Sequence, residues 1–166
     1  MRPPDAGRPA AEGVTAAELL QLARIVEDEA RLLEEFIALL AEEESLLVEG
    51  HTDALLGIAD KKTQIYRRLQ FLHDDRSRAV TRSRQGSLPA ALAAAPGNTT
   101  GRWDEVLTLA QEARQRNITN GKLIADRMKH NQAALTVLLA AADQPQLYGP
   151  DGHSRPTARG RPLGSV

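Results

Sequence analysis

The chain has 166 residues, a formal net charge of −1, no cysteine and aromatic residues at only 3% of positions. That length suffices for one ordinary domain, and its core must come from Leu, Ile, Val and Ala, which favours helix-on-helix packing over a sandwich or barrel. Near-neutral charge gives no overall case for nucleic-acid or membrane binding, and the missing thiols exclude disulfides and thiolate metal sites.

Residues 1–14 read as a disordered arm, because Pro3, Pro4, Gly7, Pro9 and Gly13 break any helix. The arm lacks the apolar stretch of a signal peptide, and no run in the chain approaches the ~20 apolar residues of a membrane span. The expectation is a soluble cytoplasmic protein, and the absence of cysteine fits a reducing compartment.

Thr15 followed by Glu18 is a capping-box signal that predicts a helix start near Ala16. Two adjacent heptad columns follow, Leu19-Val26-Leu33-Leu40-Leu47 and Ile25-Leu32-Leu39-Leu46. Leu22 with Phe36, and Ala23 with Ala30 and Ile37, add partial columns. An apolar face this wide predicts contact with more than one neighbour. Gly50 supplies the stop.

Thr52 or Asp53 is placed to cap a second helix almost at once, and so short a connection forces an antiparallel hairpin. Leu55, Ile58, Ile65, Leu69 and Leu72 form its apolar face, with Ala59 and Tyr66 beside it. Lys62 stands in the same row, where its stem is expected to cover the seam while its ammonium reaches solvent. Periodicity weakens after Leu72, so the helix end falls anywhere between His73 and Ser83. Residues 84–101 read as a linker, with a short Leu88–Ala95 piece suited to a transient helical turn or two.

The third long segment, Trp103 to Ala142, is predicted to be a helix of about 60 Å at ~1.5 Å per residue. Steps of four and three give Trp103, Leu107, Ala110, Arg114, Asn117, Gly121, Ile124, Met128, Asn131, Leu135, Leu138 and Ala142. This a/d seam is apolar at both ends and polar in the middle. Such interruptions cost stability and set register or partner choice. Its first part is expected to face the other two helices. Beyond Gly121 the helix outruns its partners, leaving Leu123, Ile124, Met128, Leu135, Leu138 and Leu139 to overhang as a protein-binding face, with Asn131 setting register. Pro145 ends the helix, and residues 144–166, with four Gly and four Pro, read as a flexible tail. The fold class is therefore all-α, an antiparallel three-helix bundle or coiled coil spanning residues 15–143 with flexible termini.

Charge divides unevenly. Helix one carries ten acids against Arg24 and Arg31, while in the second half of helix two Lys61, Lys62, Arg67, Arg68, Arg76, Arg78, Arg82 and Arg84 stand against only two acids, Asp74 and Asp75. Mutual neutralisation of these helices is the favoured reading over an acidic external partner. Catalytic readings fare poorly. Only Asp126 with His130 has the i, i+4 spacing of a helical metal pair, and a third ligand is not evident. His73-Asp74-Asp75 reads as a polar patch, and Glu42-Glu43-Glu44 as a solvated helical face, since a carboxylate-bridged bundle site needs Glu-x-x-His motifs that are absent here. No nucleophile turn or phosphate-binding glycine loop occurs. No enzyme, metal or cofactor is expected.

Two motifs carry a family resemblance. One is Asn117-Ile118-Thr119-Asn120-Gly121, then Leu123-Ile124 and Asn131-Gln132-Ala133-Ala134-Leu135. The other is Leu147-Tyr148-Gly149-Pro150-Asp151-Gly152. Leu39 to Glu44 and the lysines at 61–62 are similar more weakly. Together they span residues 18–152 in order, and the chain resembles the FlgN-type flagellar export chaperones. The resemblance implies a cytoplasmic chaperone of the flagellar type III pathway that binds the hook–filament junction proteins FlgK and FlgL. Such a chaperone prevents premature assembly and brings its client to the export gate. It also implies that Tyr148 docks to the cytoplasmic domain of the gate protein FlhA. The Pro-rich arm and the Ala/Pro stretch at 86–101 depart from the family's usual look. The competing reading is a self-associating coiled-coil scaffold, in which the third helix's seam pairs with its own copy as a weak homodimer.

Overall fold

A computed structural model describes the backbone of residues 8–142 and the side chains of residues 15–142. The described chain is all-α: α1 (Arg8–Glu49), a 3-10 turn (Thr52–Ala54), α2 (Leu55–Ser83), α3 (Leu88–Ala94) and α4 (Thr99–Ala142). It divides into two compact units, one ending at Ile124 and one beginning at Ala125, so α4 contributes to both.

The leucine columns of α1 behave as their spacing predicts. Leu19, Val26, Leu33, Leu40 and Leu47 are buried, as are Ile25, Leu32 and Leu39 beside them, with Leu22, Ala30 and Phe36. The helix start differs from the capping-box expectation, because α1 already runs from Arg8. A proline at the second helical position has no N–H to leave unsatisfied, so Pro9 does not oppose this start. At the other end Gly50 adopts φ 86°, and the N–H groups of Gly50 and His51 both reach the Leu46 carbonyl at 3.0 Å. That left-handed residue closes the helix as anticipated. Neither Thr52 nor Asp53 caps the next helix through its side chain; the 3-10 turn takes over the connection.

Ion pairs fix the helix directions. Glu18, Glu29 and Glu43 of α1 meet Arg82, Arg76 and Lys62 of α2, so residue numbers rise along one helix as they fall along the other. Glu27 and Glu44 of α1 meet Arg102 and Arg116 of α4, which therefore runs parallel to α1 in the first unit. Most of α2 is only partly covered: among its apolar residues Ile58 and Ala79 are buried, while Ile65, Leu69 and Leu72 are half-buried. Tyr66 adds an edge-to-face contact on Phe36, with ring centroids 5.1 Å apart.

The stretch expected to be a linker is instead part of the core. Ser87 caps α3 by accepting from the Ala90 N–H at 3.3 Å, and Ala91, Leu92 and Ala95 are buried against the α1 leucines. The chain then turns through Gly97 (φ 74°) into α4, where Asn98 accepts from the Gly101 N–H. Alanine-rich segments present little surface per residue, so a seven-residue helix of them is legible only once a neighbour covers it.

The inward face of α4 is rotated from the predicted seam. Thr99, Val106, Ala113 and Asn120 are buried at strict seven-residue spacing, with Trp103 and Leu109 half-buried beside them. Leu107 is 52% exposed, and Ala110, Arg114 and Gly121 are exposed too. Apolar residues stand at both 106 and 107 and at both 109 and 110. Two seams one residue apart were therefore available, and the packed one carries small and polar side chains that do not look like core.

Candidate functional site

In the first unit, one polar node joins all three long helices. The Lys62 ammonium of α2 donates to both Glu43 carboxylate oxygens at 3.1 and 2.9 Å and to Asn117 Oδ1 at 2.9 Å. Asn120 is fully buried, and its Nδ2 donates to the Leu40 carbonyl and to Glu43 Oε2, each at 2.8 Å. Asn120 Oδ1 has no partner among the described residues. Glu43 is therefore buried, not the solvated residue its position in a glutamate run suggests; Glu42 beside it is exposed. Lys62 likewise does not send its ammonium to water but turns it inward. The clue in the sequence was a lysine standing in an apolar row, which needs either an exit to solvent or a carboxylate.

Physically the node is a register lock. Sliding or rotating α4 by one position would leave the Lys62–Glu43 pair without its Asn117 and Asn120 contacts and bury the Asn120 amide unsatisfied, at a cost of about 1–3 kcal/mol for that group. Asn117, Asn120 and Gly121 belong to the motif noted above, and the first two owe their place to this lock. Gly121 is exposed, and a Cβ built there meets nothing within 4 Å.

A second buried pair lies further along. Arg76 donates to Glu29 Oε1, stacks its guanidinium 4.4 Å from the Trp103 ring centre, and sits 2.9 Å from His73 Nδ1. Burial raises the Glu29 carboxyl above its ordinary value, with Arg76 and then His73 opposing. His73 is thus engaged in a structural cluster. Among the described residues no group of three or more potential ligands could hold a metal ion.

The sequence-predicted binding residues fall in both units. Leu123 is half-buried and Ile124 exposed at the end of the first. In the second, Met128, Asn131, Leu135, Leu138 and Leu139 are all exposed; Met128 stands at 67% and Leu138 at 66%. Val137, absent from the predicted set, is equally bare. From Asn131 to Ala142 no residue is charged, so this stretch is apolar almost all round, not along one stripe. Helices of that kind are ordinarily covered. No helix among the described residues is long and apolar enough to cross a membrane. Tyr148, Gly149, Asp151 and Gly152 lie outside the described residues, as do the other residues of the predicted tail and Asp143, the last residue of the predicted bundle.

Comparison with known proteins places this arrangement in context. A family model described as FlgN protein matches residues 19–156. The flagella synthesis protein FlgN of Yersinia enterocolitica serotype O:8 is 31% identical over 132 residues, covering 78% of this chain and 86% of its own. Its counterpart in Escherichia coli K12 is 25% identical over 144 residues, covering 86% of this chain and 96% of its own. No solved structure matches.

Proposed function

Because the chain belongs to the FlgN family, whose members matched here are flagella synthesis proteins, we propose that it is a cytoplasmic export chaperone for hook–filament junction proteins of the FlgK and FlgL type. The observation that carries this reading is the uncharged, exposed end of α4. Burying one Leu or Met side chain stabilises a complex by roughly 1.5–3 kcal/mol before ordering costs, so Met128, Leu135, Leu138 and Leu139 together supply a useful gross affinity. The client segment is an amphipathic terminal helix, aggregation-prone alone and hidden when laid along this face.

In this proposal Leu123 and Ile124 extend the client face, and the exposed Asn131 rejects partners that would leave its amide unpaired on burial. In the same proposal Tyr148 docks to the cytoplasmic domain of the gate protein FlhA. A modest apolar interface keeps the client releasable at the gate.

The test is co-purification of a FlgK-type client with the double variant Leu135→Asp, Leu138→Asp. Loss of the client with helicity unchanged by circular dichroism is the expected result; undiminished capture would move the client site elsewhere. Tyr148→Ala should keep the client yet reduce its export. The same bare face suits a second copy of the chain, so sedimentation across concentration decides between the readings. A stable dimer without client would favour the scaffold.

A further inference from the structure

The groove between α1 and α2 carries a separate feature. Two adjoining depressions of about 400 and 450 Å³ share Glu35 and Arg68 and run along one side of the helix pair. Their floor is apolar, with Leu32 and Leu39 from α1 and Ile65 and Leu72 from α2. The α1 wall is mainly acidic, with Asp28, Glu35 and Glu42 at successive heptad positions and one arginine, Arg31, paired to Asp28. The other is basic, set by Lys61, Arg67 and Arg68 of α2. Phe71 stands at the edge, 62% exposed.

The charges of this groove differ from those on the other flanks of α1. There, Glu29, Glu43, Glu27 and Glu34 each hold a basic partner on α2 or α4. Here Asp28 bonds only Arg31 of its own helix. The side chains of Glu35, Glu42, Lys61, Arg67 and Arg68 make no ion pair or hydrogen bond among the described residues. Opposite charges face one another across an apolar floor without closing on each other. That geometry suits a guest that satisfies both walls at once.

We propose that this groove is a protein-docking surface for one amphipathic α-helix of a partner, bearing Lys or Arg along the edge facing α1 and Asp or Glu along the edge facing α2. From Asp28 to Glu42 the acidic wall extends about 21 Å at ~1.5 Å per residue, which fits a guest of about four turns. The rim charges supply orientation and partner choice more than affinity; Phe71 and the floor supply the apolar contact. The exposed end of α4 in a second copy does not meet the requirement, since after Asp126 it carries no acidic residue through Ala142.

The probe is a synthetic, end-blocked 18-residue helical peptide with Leu at its a and d positions, Lys along one edge and Glu along the other. It is titrated by fluorescence anisotropy into the full chain. Saturable binding is expected, weakened about tenfold or more by Glu35→Lys with Glu42→Lys. A peptide carrying Glu in place of its Lys edge should recover most of that loss on the charge-reversed protein. These exposed positions leave folding intact, checked by circular dichroism, and capture of a FlgK-type client is expected to be unchanged. Three results would overturn the proposal. One is binding no better than for a scrambled peptide, or indifferent to the charge reversal. Another is self-association of the parent chain that the reversal abolishes, which would make the occupant a second copy. The third is charge-dependent displacement of the probe by a peptide of residues 144–166, which would make it the chain's own tail.

Discussion

Two stretches of α4 have the same helical geometry and opposite treatment of their side chains. Between Thr99 and Asn120 a narrow line of small or polar residues is buried, and every charge that enters the interior meets a partner. Between Met128 and Leu139 the large apolar residues are bare. Hydrophobicity alone would assign the roles the other way round. The first stretch is specified by its polar contacts and close approach, and the second keeps apolar surface in reserve. Under the proposed function, specificity within the chain and affinity for another chain are separated along one helix.

The strongest way to break the first half of this contrast is to remove Glu43. Glu43→Ala would leave Lys62 and Asn120 without their shared acceptor. A loss of about 2–4 kcal/mol is expected, below the figure for a fully buried pair because Lys62 can swing its ammonium toward water. Urea unfolding followed by circular dichroism measures it. Adding Lys62→Met to Glu43→Leu should cost less than the two single changes summed, by about 1 kcal/mol or more, because neither charge is then left alone. Strict additivity would mean that the node does not act as a unit.

That node also marks the limit of what the sequence makes legible. The α1 columns, the Gly50 stop and the antiparallel hairpin follow from large apolar residues at clean spacing, where one arrangement buries far more surface than any other. The inward line of α4 does not, since Thr99, Ala113 and Asn120 gain little from burial and are chosen by fit against α1 and α2. Glu43 hides within a run of three glutamates in the sequence, and only the odd position of Lys62 hints at its partner. The Ala/Pro stretch containing α3 fails for a related reason: Ala91, Leu92 and Ala95 are core by context, not by composition. The exposed set on α4 was readable because its apolar residues continue beyond the length that helices one and two can match.

A smaller effect tests the neighbouring pair, where a buried acid is held without a full complement of bonds. Glu29 Oε1 meets Arg76, but Oε2 is buried without a partner among the described residues. Burial raises this carboxyl from its ordinary 4.5, with Arg76 and His73 opposing. The folded state therefore holds the proton more tightly than the unfolded state. The stability from this group is fully present below the unfolded value and is lost as pH rises through the raised folded one. Glu29→Gln keeps an acceptor for Arg76 and removes that slope. Measured by urea midpoint between about pH 4.5 and pH 7, the variant should gain on the parent as pH rises. A constant gap would show that Glu29 ionises as easily folded as unfolded.

The least perturbing change sits close to where the first unit ends. Gly121 is exposed on α4, its φ is not in the left-handed region, and an added Cβ meets open space. By helix propensity alone Gly121→Ala should stabilise the protein by up to about 1 kcal/mol, a rise of roughly 2–4 °C in Tm for a chain of this size. Nothing in the packing of the first unit requires a glycine here, although the residue directly follows Asn120 of the polar node. If the two stretches of α4 serve separate ends, the variant should be more stable and capture a FlgK-type client as well as the parent does. A variant that gains stability and loses capture would instead show that the helix must bend at this point to receive its guest. The missing side chain would then be a functional feature placed between the lock and the client face.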